Sequence, residues 1–340
     1  MTKKTTPAPS RSLPRRAASL LLRAADRVVS PVVAKVSAAR GTRGRGGALA
    51  HQKLLAQYRV ANLVTNDKGE VPVGWWVLAP NFGDLLSPWL IGKMTDREVV
   101  HADPLEPHYL AIGSIAKRAT KTSIVWGSGS FGTEPRGELE PEARYTAVRG
   151  PLTRSRLRHF KADVPAVYGD PALLAPFYYF PEVEVEHEVG IVLRWSERNR
   201  AKAEFGPGVL PITLETDDIE GTIKAMLSCR RIVTSSLHGL IISDAYGIPS
   251  AWISSSTPKG GEFKYYDYFA TVNKFRTIQR YGFGAGSAPV TVARVLRKLR
   301  FDDAAIEFDY EALLDACPFL ERTTAKVVKT RAAGEKAQGD

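Results

Sequence analysis

The chain has 340 residues, 44% of them hydrophobic and 24% charged, a globular composition long enough for two domains of ordinary size. No apolar run approaches the roughly 18 residues that a membrane helix needs. Arg23 cuts short the apolar stretch Ala17 to Leu22, which argues against a secretory signal. Cys229 and Cys317 form neither a disulfide framework nor a metal-ligand pattern, so the expected compartment is reducing.

The formal net charge of +11 is uneven: eleven basic residues and one acidic residue, Asp26, fall in the first 50, so that segment carries +10 and the remainder +1. The high charge therefore belongs to a tail. Leu21, Ala25, Val28, Val32 and Val36 recur in it at helical spacing, with Pro31 interrupting. Such a segment can lie on an anionic membrane surface; the plainer reading is a solvated, flexible tail. Nucleic acid is disfavoured as a partner, since no aromatic residue interleaves the basic ones.

Past residue 50, short apolar runs alternate with amphipathic ones. Strands are expected at Val73–Leu78, Glu98–His101, Tyr109–Ile112, Ser123–Trp126, Thr146–Arg149 and Ala166–Tyr168, with helices at Leu85–Met94 and Pro151–Phe160. A break at Pro176–Pro181 and an acidic run follow. Strands resume at Val189–Arg194, Val209–Thr213, Arg231–Thr234 and Ser250–Ser254, around helices at Asp217–Cys229 and Leu237–Tyr246. Helices at Val292–Arg300 and Tyr310–Leu314 come last. This alternation predicts an α/β fold with parallel sheets covered on both faces. The break divides it into an N-terminal domain at 51–180 and a C-terminal domain at 181–321 with a cleft between them, followed by a disordered tail at 322–340.

Ligands of open α/β sheets bind at the carboxyl ends of strands, where helix N-termini offer unpaired N–H groups to anions. Several turns meet that description. In Thr234-Ser235-Ser236-Leu237-His238-Gly239, the serines are good N-cap types and His238 falls in the first helical turn. His238 is then either a reactive group or a side chain that only donates a hydrogen bond. Asn81-Phe82-Gly83-Asp84 is a turn in which Asp84 complements the helix dipole. Gly127-Ser128-Gly129-Ser130-Phe131-Gly132 matches G-x-G-x-x-G, but Pro135 and Gly137 make poor helix sequence behind it. It reads as a glycine-rich loop that permits close approach, not a dinucleotide site. Arg149, before Gly150-Pro151, can fork onto carboxylate or phosphate, or form a surface salt bridge. Lys264 lies in an aromatic setting, Phe263 to Tyr268, and either snorkels or closes over an anion. No metal-ligand cluster is visible.

Asn81-Phe82-Gly83-Asp84 with Ser87-Pro88, Gly127-Ser128-Gly129-Ser130, Val148-Arg149-Gly150, Gly169-Asp170-Pro171, Ser235-Ser236-Leu237-His238-Gly239 and Phe263 to Tyr268 occur in that order. The set resembles the polysaccharide pyruvyl transferase family, particularly its exopolysaccharide ketal-pyruvate transferase branch, over roughly residues 73–270. The resemblance implies two Rossmann-like domains facing across a cleft, similar to GT-B glycosyltransferases. It implies phosphoenolpyruvate as co-substrate, no cofactor or metal, and a cell-surface polysaccharide or lipid-linked glycan precursor as acceptor. The product is a cyclic pyruvate ketal. By residue, it implies His238 and Arg149 around the donor. The chemistry then suggests His238 as general acid, alone or with Asp84; Lys264, Arg194, Ser235, Ser236 and Leu237 beside Arg149 around the donor; and Asn81, Gly83, Gly127, Ser128, Gly129 and Asp170 in the loops and toward the acceptor. Many relatives carry arginine where Ser236 stands, and Lys264 and Arg194 are the candidates to replace its charge. The expected location is cytoplasmic, with peripheral contact at the inner membrane face through the basic tail. A GT-B glycosyltransferase using a nucleotide sugar shares this architecture, and a non-catalytic glycan-binding protein could keep it.

Overall fold

The computed structural model describes residues 45–135, 137–255 and 261–323; the basic tail through residue 44 and the C-terminal tail from residue 324 lie outside the described residues. In chain order, helix α1 (Arg45–Leu55) and strand β1 (Tyr58–Val60) precede β2 (Val71–Val73), α2 (Phe82–Thr95), β3 (Val99–His101), β4 (His108–Leu110), β5 (Ser123–Trp126), β6 (Arg144–Ala147) and α3 (Pro151–His159). A 3-10 turn at Pro171–Leu174 and the short helix α4 (Ala175–Tyr178) lead to β7 (Val189–Leu193), α5 (Arg198–Ala201), β8 (Val209–Thr213), α6 (Ile219–Leu227), β9 (Ile232–Thr234), α7 (Leu237–Ala245) and β10 (Ser250–Trp252). Helices α8 (Phe263–Thr271), α9 (Val292–Lys298) and α10 (Tyr310–Asp315) and strand β11 (Leu320–Arg322) follow.

Two parallel sheets result. The first has the order β3-β2-β4-β5-β6 and the second β10-β9-β7-β8. Every residue of β2, β4, β7, β9 and β10 is buried. That is why these strands read as continuous apolar runs rather than alternating ones: both faces of a parallel sheet are covered. All described residues belong to one compact unit. The chain also returns on itself. Strand β11 pairs antiparallel with β1, Phe319 packs edge-on against Tyr109 and Trp126, and Trp126 Nε1 donates to the Leu313 carbonyl at 2.9 Å.

Two expectations need correction, and one element was not anticipated. The first strand ends at Val73, and the apolar residues after it leave the sheet: Val77 is 53% and Leu78 82% exposed. Residues 166–168 contribute only an isolated bridge, Tyr168 to Val148. The aromatic run from Phe263 is a helix, α8, packed against α3. Among the described residues no helix is long and apolar enough to cross a membrane.

The strand orders fix where a ligand belongs. From β2 the chain moves outward to β3 and then back to β4 on the other side; from β7 it moves to β8 and then back to β9. Each reversal opens a crevice at the strands' carboxyl ends. The residues emerging there are Gly74 to Asp84 after β2, Ala111 to Ser114 after β4, Arg194 to Glu197 after β7 and Ser235 to His238 after β9.

Candidate active site

The two crevices meet at His238 and Gly83. His238 is the second residue of α7, and Gly83 the second of α2. A Cβ placed on Gly83 would collide with Nδ1 of His238, so only glycine lets the imidazole lie against the start of α2. The other ring nitrogen, Nε2, faces Asp170 Oδ2 at 3.7 Å. Both atoms are buried and have no hydrogen-bond partner. The second oxygen of Asp170 accepts from Ala172 N at 3.0 Å, capping the 3-10 turn.

Asp84 sits one residue past Gly83, hydrogen-bonded by Asn81 Nδ2. Burial pushes its carboxyl up, against opposing pulls from the Asn81 bond and from His238, Arg118 and Lys264. Asn81 holds the N-cap position of α2 but spends its side chain on Asp84 rather than on a backbone N–H. Asn81, Gly83, Asp84, Asp170 and His238 are thus one constellation. Lys264 belongs to its electrostatic surroundings; its Nζ lies 5.3 Å from the Tyr265 ring centre and 5.7 Å from that of Phe131.

A second group surrounds Ser235. Its hydroxyl donates to Glu197 Oε2 at 2.5 Å, and its carbonyl accepts from the Tyr265 hydroxyl at 2.6 Å. Burial pushes that phenol up to about 12. Glu197 is buried and also accepts from Ser255 Oγ at 2.8 Å and Arg200 Nη1 at 3.2 Å. Arg194 joins through Nη1 to Ser255 Oγ at 3.0 Å. Ser236 occupies the N-cap position of α7, yet its hydroxyl makes no cap bond, contrary to what its residue type suggests; Thr234 Oγ1 instead accepts from Ser236 N at 3.0 Å. Leu237 is a core side chain.

Arg149 is elsewhere. It is fully buried, with Nε on Asp267 Oδ2 at 3.0 Å, Nη1 on Ser114 Oγ at 2.7 Å and Nη2 on the Ser130 carbonyl at 2.7 Å. The same Asp267 accepts from Thr153 N and Thr153 Oγ1, so a carboxylate on α8 caps α3. A Cβ on Gly129 would strike the Arg149 guanidinium, one on Gly127 the Pro171 ring, and one on Gly132 the Phe263 ring. The glycine-rich loop therefore permits close approach by the protein itself. Ser128, between two of these glycines, is fully buried and its Oγ lacks a partner.

Sequence reasoning overlooked Glu197, and it assigned no part to Asp267 or Ser114. The available signal was position: Glu197 and Ser114 each follow a strand at a crevice.

A family model described as polysaccharide pyruvyl transferase matches residues 101–257. An uncharacterized protein, L143, of Acanthamoeba polyphaga mimivirus is 31% identical over 221 residues, covering 59% of this chain and 74% of that protein. The chain belongs to the polysaccharide pyruvyl transferase family. The succinoglycan biosynthesis protein ExoV of Rhizobium meliloti is 29% identical over 217 residues, which span 59% of this chain and 64% of ExoV. A solved structure of an uncharacterized Klebsiella pneumoniae protein aligns over 66% of this chain and 92% of that one, at 10% identity and a TM-score of 0.35, too low to bear on the fold. The segment matched by the polysaccharide pyruvyl transferase model contains Arg149, Asp170 and His238; Asp84 and Lys264 fall outside it.

Proposed function

We propose that this polysaccharide pyruvyl transferase moves pyruvate from phosphoenolpyruvate to two hydroxyls of a surface polysaccharide or lipid-linked glycan precursor, forming a cyclic ketal and releasing phosphate. The observation that carries the reading is the junction of His238 with Gly83 and Asp84, where two proton-transfer groups from different sheets converge at two strand-end crevices. In the same reading the two sheets are the Rossmann-like halves of a GT-B-like arrangement. The likeness to ExoV, a succinoglycan biosynthesis protein, supports a polysaccharide or its precursor as the acceptor class.

The reaction needs a proton on the methylene carbon of phosphoenolpyruvate and a base for the attacking sugar hydroxyl. Protonation of that carbon leaves an oxocarbenium-like centre at C2. One hydroxyl oxygen bonds to C2 and gives up its proton. The second hydroxyl then bonds to C2 as the C2–O bond to phosphate breaks; phosphate leaves with the bonding pair and takes up the proton that this hydroxyl gives up. His238 and Asp84 supply the acid and base. A carboxyl raised by burial suits the acid part. Lys264 and Arg194 meet the donor's charges, in place of the arginine absent at Ser236, together with the N–H groups at the start of α7. Arg149, enclosed by its own partners, serves by shaping the glycine loop beneath the donor.

The test is incubation of the protein with phosphoenolpyruvate and lipid-linked or oligosaccharide acceptors, followed by phosphate release and by the ketal methyl signal in proton NMR. Both signals, lost together in His238→Ala, are the expected result. Turnover of nucleotide sugars with no use of phosphoenolpyruvate would replace this reading with glycosyl transfer.

A further inference from the structure

We propose that Asp170 is a positioning residue that holds His238 in the Nε2–H tautomer, leaving Nδ1 as the nitrogen that accepts a proton. The inference rests on the proposed reaction only for its consequence; the tautomer is a property of the free protein.

The argument begins with Asp170, which is fully buried and so out of reach of an acceptor glycan. Its Oδ1 is committed to Ala172 N at 3.0 Å, at the N-cap of the Pro171–Leu174 turn. That bond fixes the rotation of the carboxylate and aims Oδ2. What Oδ2 meets is Nε2 of His238 at 3.7 Å, and neither atom has another partner. Buried polar atoms are rarely left unpaired, and these two face one another. An ionised carboxylate only accepts. The nitrogen that suits it therefore carries a hydrogen; an unprotonated Nε2 would set lone pair against lone pair. A neutral imidazole has one N–H, so its lone pair then lies on Nδ1. Nδ1 is the atom over Gly83, and the ring is near enough to Asp84 for their charges to interact. The other charges near this pair, Arg118 and Lys264, act on Asp84.

The consequence is a division of labour. Nδ1 takes the proton of the first sugar hydroxyl as its oxygen bonds to C2, and the Asp84 carboxyl gives its proton to the methylene carbon. Asp170 touches neither reactant and acts through His238, as the carboxylate does in an Asp–His pair of a hydrolytic triad.

The test is long-range proton–nitrogen NMR of the full chain labelled with nitrogen-15, with the His238 ring assigned by its loss in His238→Gln. In the wild type, at a pH where the ring is neutral, Nε2 should be pyrrole-like and Nδ1 pyridine-like. In Asp170→Asn the amide oxygen remains with Ala172 N and the NH2 group turns to His238. It donates to Nε2, and the tautomer should invert. The kcat for pyruvyl transfer should fall about a thousandfold or more, with KM for phosphoenolpyruvate little changed. A wild-type ring protonated at Nδ1 overturns the proposal, as does an Asp170→Asn ring that stays pyrrole-like at Nε2. Should Asp170→Asn fail to fold, Asp170→Ser keeps a cap for Ala172 but removes the second oxygen. Its two tautomers should mix, and a pure Nε2–H form would again refute the assignment. An Nε2–H tautomer in a protein that transfers no pyruvate would leave this inference standing and remove the proposed function.

Discussion

Two buried polar groups join the halves of this molecule, and they differ in how completely they are satisfied. At Arg149 and Asp267 every contact closes: both side chains are fully buried, the guanidinium reaches three acceptors, and the carboxylate accepts from arginine and from both Thr153 groups. At His238 and Asp170 the nearest polar atoms stand 3.7 Å apart and both remain unpaired. A completed network fixes one arrangement of the chain; the looser pair orients one side of the imidazole and leaves its other nitrogen for chemistry. From its strand-end place Arg149 could meet an anion or a salt-bridge partner, and the structure shows the second, buried rather than at the surface. His238 occupied an equivalent place and stands against Asp170 without a closed bond.

The sharpest break of this contrast is Asp267→Ala. It leaves a buried guanidinium uncompensated and exposes the α3 N-terminus, so the protein should lose about 3–5 kcal/mol in urea unfolding. His238→Ala should do the reverse. Pyruvyl transfer should drop about a hundredfold to ten-thousandfold, while the loss in unfolding stays smaller than that of Asp267→Ala, because the His238–Asp170 pair at 3.7 Å is not a closed bond; comparable losses in unfolding for the two variants would erase the distinction. Gly83→Ala sharpens it further. The backbone at Gly83 is not in the left-handed region, so alanine fits the helix and gains up to about 1 kcal/mol of helix propensity. Its methyl must displace His238, however, and transfer measured by phosphate release should fall about a hundredfold.

The smallest effect concerns Asp84. Its folded-state pKa is raised by burial, so folding around the ionised form carries a penalty. That penalty develops as pH rises above the ordinary aspartate value of about 4 and persists above the folded value. Asp84→Asn should therefore be more stable than the wild type at pH 7, with the difference vanishing as pH falls below about 4. Urea unfolding across this pH range reads the sign directly.

Most strands and helices were legible because parallel strands buried on both faces announce themselves as apolar runs. The same rule misled at Trp75 to Leu78, where an apolar run leaves the sheet and Leu78 is largely exposed. Helix α8 was missed because its aromatic residues, Phe263 to Phe269, mask a face that carries Lys264 and Asp267 inward. Within the site, His238 and Asp84 were visible as strand-end residues, and Asp170 through the family resemblance. Their contacts were not, since Gly83 and His238 meet only through the packing of two sheets. Nor could residue type reveal that Thr234 rather than Ser236 serves the turn before α7, or that Glu197 would anchor Ser235.

The most direct measurement is a crystal structure with phosphoenolpyruvate bound to the His238→Gln variant. The account predicts the donor at the junction of α2 and α7, its methylene carbon within reach of the Asp84 carboxyl and its charged groups met by Lys264 or Arg194. Phosphoenolpyruvate bound away from that junction, with residue 238 still packed against Gly83, would contradict it.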